Sequence, residues 1–189
     1  KWCRIGIFRK MLIKAREYYR KRNSRNIWYA LDTTLKKAPF AKCGGKNPTD
    51  RAKRGIKHVM IVDRKGAPLY VDIAPANKHD SKVVDSVLNQ MRRSKKIRIL
   101  TADSAFDANK IKKQCKLMNI ALLAATNPRR RKDIHRFTPP CRWIIERTFG
   151  WLSWYRGLKT CWSKTYEAQL AFLQIASSIR LFQMTGIFG

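Results

Sequence analysis

The chain contains 189 residues, with 42 Lys and Arg against 12 Asp and Glu, which gives a formal net charge of +30. The length fits a single domain, and a hydrophobic fraction of 44% argues against a wholly disordered basic tail. Because so large a positive charge disfavours compaction unless a polyanion is present, we expect nucleic acid as the partner, with an anionic membrane surface as the weaker alternative.

Hydrophobic runs and cysteines narrow the class of protein further. The sequence shows neither an apolar stretch of transmembrane length nor an N-terminal signal peptide. Its five cysteines are odd in number and contain no CxxC pair, so they suit neither a disulfide framework nor a zinc site and predict reduced thiols in a cytosol. The first residue is Lys1 rather than Met, which suggests that the chain has lost its beginning.

The N-terminal part is predicted to hold a helix, a strand and a loop. Residues 1–26 have the pattern of one or two basic amphipathic helices, and we interpret them as the remnant of an N-terminal region. Residues 27–31 are apolar and aromatic, and they predict a strand that ends at Asp32. The polar residues 36–54, which include glycines and prolines, predict a loop.

A hairpin and a helix follow. Residues 57–62 and 69–74 are rich in β-branched side chains and flank a short turn with a glycine, which predicts two antiparallel strands. The apolar spacing beyond them predicts a helix that runs to about Arg93 and is capped by Asp80 or Ser81.

The second half of the chain alternates strands with helices. Residues 97–102 predict a buried strand, with Asp103 just past its end. Asp107 is expected to cap a helix over residues 108–118, and residues 120–125 predict the fifth strand.

Two helices over residues 142–155 and 166–183 complete the prediction. The first three strands should form an antiparallel meander, and the later strands, joined through helices, should be parallel. The predicted fold class is therefore α/β, with a mixed five-stranded sheet flanked by helices and an extra C-terminal helix, in one domain over residues 27–189.

Carboxylates at strand ends suggest a site. Asp32 and Asp103 each end a predicted strand, and Glu146 lies on the helix that follows the fifth strand. If the first and fourth strands are neighbours, the three acids converge and repel one another unless a cation is bound. Carboxylate oxygens suit Mg²⁺ or Mn²⁺, and two such ions can support displacement at a phosphodiester.

Other acids compete for this role. Asp107 is better explained as a helix cap, and Asp80 as a cap or an internal hydrogen-bonding group. Asp72 alternates with apolar neighbours and is expected at a surface or edge position, whereas Asp133 lies among basic residues as a local counter-ion. Spacing alone leaves these alternatives open.

Five motifs in order resemble one known family, and together they span about residues 27–183. They lie at residues 31–39, 47–55, 76–80, 101–107 and 142–152, the last with the run Arg-Trp-Ile-Ile-Glu-Arg-Thr. On these motifs the chain resembles the bacterial insertion-sequence transposases of the DDE class, in particular the insertion-sequence-five family.

The resemblance implies a ribonuclease H-like fold in which Asp32, Asp103 and Glu146 are catalytic and bind two Mg²⁺ ions, with Mn²⁺ as an alternative. It implies cleavage of DNA at the element's ends to give 3′-hydroxyls, and attack of these on target DNA. It also implies a homo-oligomer acting on transposon ends and target DNA in the bacterial cytoplasm, at the nucleoid.

Two positions depart from the family pattern. Pro139 stands where many relatives carry Tyr, and Ser153 stands where they carry Lys. Arg147 or Arg156 is the expected replacement for that lysine. Relatives also carry a longer N-terminal DNA-binding region, so we expect the short N-terminal part to impair recognition of the element's ends.

Basic residues provide the expected grip on DNA phosphates. The predicted contacts come from two basic loops and from the helix around Glu146, namely Arg51, Lys53, Arg54, Lys57, Arg129, Arg130, Arg131, Arg142, Arg147 and Arg156. The tryptophans at 143, 151, 154 and 162 can either stack on flipped bases or pack a helix onto the sheet. We favour packing, with Trp151 or Trp154 as the exception.

Two other functions fit the same residues. One is a truncated, inactive remnant of a transposase that binds DNA without cleaving it. The other is a related nuclease of the ribonuclease H-like fold that acts on junctions or RNA hybrids.

Overall fold

The computed structural model describes residues 2–23, 27–92, 97–125 and 142–187. Within them, the strands are β1 (Trp28–Lys37), β2 (Gly45–Lys46), β3 (Arg54–Asp63), β4 (Pro68–Pro75), β5 (Ile99–Ala102) and β6 (Ala121–Ala124). The helices are α1 (Ile7–Arg22), α2 (Asp85–Met91), α3 (Asn109–Leu117), α4 (Arg142–Ser153), α5 (Arg156–Lys159) and α6 (Tyr166–Gln183). Two 3₁₀ turns cover Asp80–Lys82 and Ser104–Phe106.

All six strands belong to one mixed sheet. β4, β3 and β1 are antiparallel neighbours, and β1, β5 and β6 continue the sheet as parallel strands. The predicted mixed sheet with flanking helices is confirmed. The predicted strand number was too low, because the two-residue β2 pairs antiparallel with the start of β3 inside the segment that was expected to be a loop.

One face of the sheet is covered by α1 and α6. Tyr19 of α1 donates a hydrogen bond to Asp63 of β3 (2.8 Å), and Tyr166 of α6 donates one to Asp72 of β4 (2.5 Å). Asp72 is only 9% exposed, so it is not at the surface, but it lies on β4, which pairs with β3 alone among the described strands and so has the other expected position, at an edge. It alternates with Val71 and Ile73 as predicted, but both faces of β4 are buried in the described structure.

Several element boundaries differ from the prediction. Strand β1 does not end at Asp32, because β3 pairs with it as far as Lys37. The predicted helix after β4 is divided into a 3₁₀ turn and α2, and His79 caps that turn by accepting from the Ser81 amide. Asp107 does not cap α3; it forms an ion pair with Lys112.

Helix α6 matches the predicted residues 166–183. Helix α1 places Leu12, Ala15 and Tyr19 in the same hydrophobic core as the sheet. Helix α1 thus packs with the sheet. The predicted division of the chain at residue 26, between an N-terminal remnant and a catalytic domain, stays a prediction. No helix among the described residues is long and apolar enough to cross a membrane.

Candidate active site

Two carboxylates leave neighbouring parallel strands at the same level. Leu31 of β1 and Ala102 of β5 are the last paired residues of the two strands, and Asp32 and Asp103 follow them directly. Each aspartate accepts a hydrogen bond from the next backbone amide, at 2.7 Å from Thr33 and 2.6 Å from Ser104. The strand register thus brings these two predicted site residues together.

The Asp32 carboxyl lies in an unfavourable position for a negative charge. The pKa of this carboxyl is raised to about 6, mainly by burial and also by the nearby charges of Asp103 and Asp80. The Thr33 amide and the Arg142 guanidinium act in the opposite direction. A carboxylate with this pKa gains from any cation that reaches it.

Helix α4 lies along β1 on the other face of the sheet from α1 and α6. Ile144, near its start, lies beside Tyr29 of β1, and Ser153, at its end, contacts Lys36 of β1. The helix therefore runs in the same direction as the strand. Glu146 comes two residues after Ile144, near the start of this helix.

Arg142 links the three predicted site acids. Its Nη2 atom lies 3.4 Å from Oδ2 of Asp103 and 3.8 Å from Oε1 of Glu146, one helical turn further along α4. The same guanidinium lowers the pKa of Asp32. A positive group therefore stands among the three carboxylates.

This arrangement bears on whether the site suits a metal ion. The donor chemistry fits a hard divalent cation, because all three groups are carboxylates and a cationic guanidinium already lies between two of them. In the described part of the chain, however, no three His, Cys, Asp or Glu side chains are close enough to hold one ion together. The Glu146 side chain is 60% exposed, and its Oε1 atom lies 3.8 Å from Arg142 Nη2.

The turn between β3 and β4 fixes α4 over the sheet. Thr148 Oγ1 lies 2.9 Å from the carbonyl oxygen of Gly66, and Arg147 donates to the carbonyl oxygen of Lys65 at 3.1 Å. The Arg147 guanidinium also stacks on the rings of Trp143 and Trp151, at 4.7 and 4.5 Å from their centroids. Arg147 thus helps to place the helix that carries Glu146.

An ammonium group stands beside Ser153, although the sequence lacks the family's lysine there. The Nζ atom of Lys36 lies 2.7 Å from Ser153 Oγ. Arg147 and Arg156 were the expected replacements, whereas the structure brings Lys36 to this position. No sequence signal marked Lys36, because it is 117 residues away from Ser153.

A partly buried ion pair lies near Asp32. Lys57 donates to Oδ1 of Asp80 at 2.7 Å, and Thr33 donates to the same oxygen at 2.6 Å. Lys57 is 7% exposed, so its ammonium is held by Asp80 instead of being presented to DNA as expected. Asp80 is an internal hydrogen-bonding group, as one of its two predicted interpretations proposed.

The remaining predicted DNA contacts are dispersed. Arg51, Lys53 and Arg156 are exposed, and Arg54 is exposed while donating to the carbonyl oxygen of Ala41 at 2.8 Å. Arg129, Arg130, Arg131, Asp133 and Pro139 lie outside the described residues.

Comparison with known proteins now identifies the family. The family model described as a transposase DDE domain matches residues 17–181. The chain belongs to this family of DDE transposase domains. It is also 28% identical over 139 residues to a protein of Burkholderia cepacia assigned as the transposase of insertion sequence element IS402. That match covers 69% of this chain and 64% of the relative, so the chain spans less than two thirds of the relative's length. The insertion-sequence-five subfamily stays a prediction.

Solved structures show distant similarity to the same region. The catalytic core of BIV integrase is 18% identical, with a TM-score of 0.45 over 87% of this chain and 86% of that one. The catalytic domain of Mos1 mariner transposase is 10% identical, with a TM-score of 0.47 over 96% and 88%. The family assignment rests on the sequence match to the DDE domain.

Proposed function

We propose that this chain is the catalytic core of an insertion-sequence transposase that cleaves DNA and transfers the cut strand. The observation that carries the proposal is the register of β1 and β5, which sets Asp32 beside Asp103 beneath the helix of Glu146. Membership of the DDE family supports the same three residues.

The three acids are proposed to hold divalent cations, Mg²⁺ with Mn²⁺ as an alternative, two ions in the active complex. Bound there, such ions activate an attacking oxygen and stabilise the leaving one at a phosphodiester. The chain's own part is to place the carboxylates. The Thr33 and Ser104 amides orient Asp32 and Asp103, and the turn at Gly66 holds α4.

DNA is the proposed substrate, as transposon ends and as target, gripped through its phosphates by the exposed Arg51, Lys53, Arg54 and Arg156 and by the Arg residues at 129–131. Arg142 adds a cation beside the carboxylates, and Lys36 adds one beside Ser153. A homo-oligomer acting in the cytoplasm, at the nucleoid, is the proposed working state. The match covers only 64% of the IS402 protein, so recognition of specific element ends by this chain is likewise a proposal.

The test uses the full chain and a labelled duplex. Wild type should nick DNA in Mg²⁺, whereas Asp103→Asn should lose nicking and keep its salt-dependent DNA binding. The matched control is Asp85→Asn, because Asp85 pairs with Lys110 on the surface and should be dispensable. Nicking by Asp103→Asn at the wild-type rate would refute the assignment.

The second candidate is a transposase remnant that binds DNA without cleaving it. The observation that favours it is that the described residues hold no group of three metal-ligating side chains, while Arg142 contacts both Asp103 and Glu146. DNA binding with no nicking in Mg²⁺ or Mn²⁺ by the wild-type chain would select this function. Preferential cleavage of junctions or RNA hybrids over transposon ends would select the related nuclease instead.

A further inference from the structure

Two large aromatic side chains lie exposed against one another, away from the carboxylates. Phe40 is 55% exposed and Trp162 is 59% exposed, and their ring centroids are 5.7 Å apart with an interplanar angle of 39°. Trp162 was expected to pack a helix onto the sheet, and the structure corrects this. Two adjacent exposed rings form a contiguous apolar surface, which is the kind of surface that binds a ligand or a partner.

We propose that the Phe40–Trp162 pair is a stacking platform for unpaired DNA bases. This inference rests on the proposed function, because it adds a second DNA site to the same chain. Every base presents an aromatic face, so such a platform takes single strands with little dependence on sequence.

The backbone beneath the platform is fixed on both sides of the rings. The Cys161 amide donates to the carbonyl oxygen of Lys37 at 2.8 Å, and Thr160 forms a parallel bridge with Lys37. On the other side of the rings, the Lys42 amide donates to the carbonyl oxygen of Lys164 at 2.9 Å. The two segments that carry the rings therefore lie side by side, and the aromatic pair is held in place before any ligand binds.

The charge around the rings suits a nucleic acid backbone. Lys42, Lys159 and Lys164 are exposed close to Phe40 or Trp162 in the chain. Lys37 is exposed too, with Asp50 at 3.8 Å. Aromatic faces for bases together with lysines for phosphates are the combination found in proteins that bind single strands. A purely apolar partner would gain nothing from these lysines.

Strand β1 connects the carboxylates to Lys37, which lies in the backbone beneath the platform. Lys37 follows Asp32 by five residues of continuous strand, or about 17 Å at the usual rise of a β-strand. That distance corresponds to about five nucleotide steps of a duplex strand. A single strand at the platform can therefore belong to the same DNA molecule whose phosphodiester lies at Asp32 and Asp103.

Fluorescence anisotropy with labelled oligothymidine and with a duplex of equal length, each at several salt concentrations, tests this inference on the full chain. Trp162→Ala should weaken binding to oligothymidine by about 5- to 100-fold and change duplex binding by less than about 2-fold. Phe40→Ala should act in the same direction, and Trp162→Phe should restore most of the affinity. The matched control is Trp154→Ala, which removes another exposed tryptophan (86%) outside the pair.

Salt dependence separates stacking from charge. Trp162→Ala should leave the slope of log K against log salt unchanged, whereas Lys42→Gln should reduce it. The platform is refuted if Trp162→Ala binds oligothymidine like wild type, or if it loses affinity for both DNAs equally. A loss in Trp154→Ala as large as in Trp162→Ala refutes it as well. If wild type binds no DNA, the proposed function falls together with the platform; if nicking alone is absent, the platform stands.

Discussion

Asp32 and Asp103 lie side by side because they follow the last paired residues of two parallel strands, Leu31 and Ala102. Arg142 contacts Asp103 at 3.4 Å. Its positive charge also lowers the pKa of Asp32. The pair therefore brings together two negative charges whose repulsion is only partly offset, which is the condition that favours cation binding.

The first prediction concerns the pKa of Asp32 in metal-free protein. Burial is the main cause of its raised value of about 6, and the charge of Asp103 adds to it. Asp103→Asn should therefore lower the Asp32 pKa, as followed by the ¹³C shift of its carboxyl group during a pH titration with a chelator present. Asp85→Asn should leave that pKa unchanged, since Lys110 and Gln114 hold Asp85 elsewhere. An unchanged Asp32 titration in Asp103→Asn would show that the two carboxylates do not interact.

The second prediction concerns Arg142 as a competitor of the metal ion. Its guanidinium contacts Asp103 and Glu146, so a bound cation and Arg142 should oppose each other. Arg142→Gln should therefore bind Mn²⁺ about 3- to 10-fold more tightly than wild type, measured by calorimetry or by the EPR signal of free Mn²⁺. Arg156→Gln provides the control, because it removes an exposed arginine outside this contact. Weaker Mn²⁺ binding in Arg142→Gln would mean that the guanidinium supports the ion site instead of competing for it.

The sequence predicted those parts of the fold that depend on local pattern. The β-branched runs on either side of Gly66 predicted the hairpin of β3 and β4, and the apolar spacing predicted α6 at its observed bounds. Asp32 and Asp103 were also found this way, because each follows a short buried run of residues and parallel strands align such positions.

Contacts between residues that are far apart in the sequence could not be predicted from local pattern. Lys36 and Ser153 are 117 residues apart, and Lys57 and Asp80 are 23 residues apart. Lys57 looked like one basic residue among many in the sequence, and only the packing of the 3₁₀ turn against the sheet makes it a buried partner of Asp80. The exposure of Trp162 was missed for a related reason, because composition alone does not tell a packed ring from an exposed one.

The third prediction tests how the hairpin turn positions α4. Gly66 has φ +85°, and a Cβ atom there would lie 2.8 Å from Thr148 Oγ1. Gly66→Ala should therefore lower the free energy of unfolding by about 1–3 kcal/mol, through backbone strain and loss of the contact with α4. Urea unfolding measures this, and nicking should fall as well if α4 places Glu146.

Gly150→Ala is the matched control on the same helix. A Cβ atom there would meet no heavy atom within 4 Å beyond its immediate surroundings in the helix. This variant should keep or increase stability, by up to about 1 kcal/mol, because alanine favours a helix over glycine. Equal losses in the two variants would contradict a specific role for the turn at Gly66.

The fourth prediction concerns stability against pH and rests on His58. This side chain is 1% exposed, with Nε2 3.7 Å from the Cys161 sulfur. Its pKa is lowered from 6.5 to about 3, mainly by burial and also by the positive charge of Lys36. Between these two pH values the unfolded chain binds a proton that the folded chain does not, so this contribution to stability falls as the pH falls below about 6.5.

Asp32 acts in the opposite sense, because its pKa is raised to about 6 and the folded state gains a proton first on acidification. The His58 contribution must therefore be isolated by a difference between variants. From pH 7 to pH 5, wild type should lose about 2 kcal/mol more stability than His58→Phe, which cannot be protonated. Urea unfolding midpoints at both pH values measure this difference. Parallel pH profiles for wild type and His58→Phe would show that His58 is protonated in the folded protein.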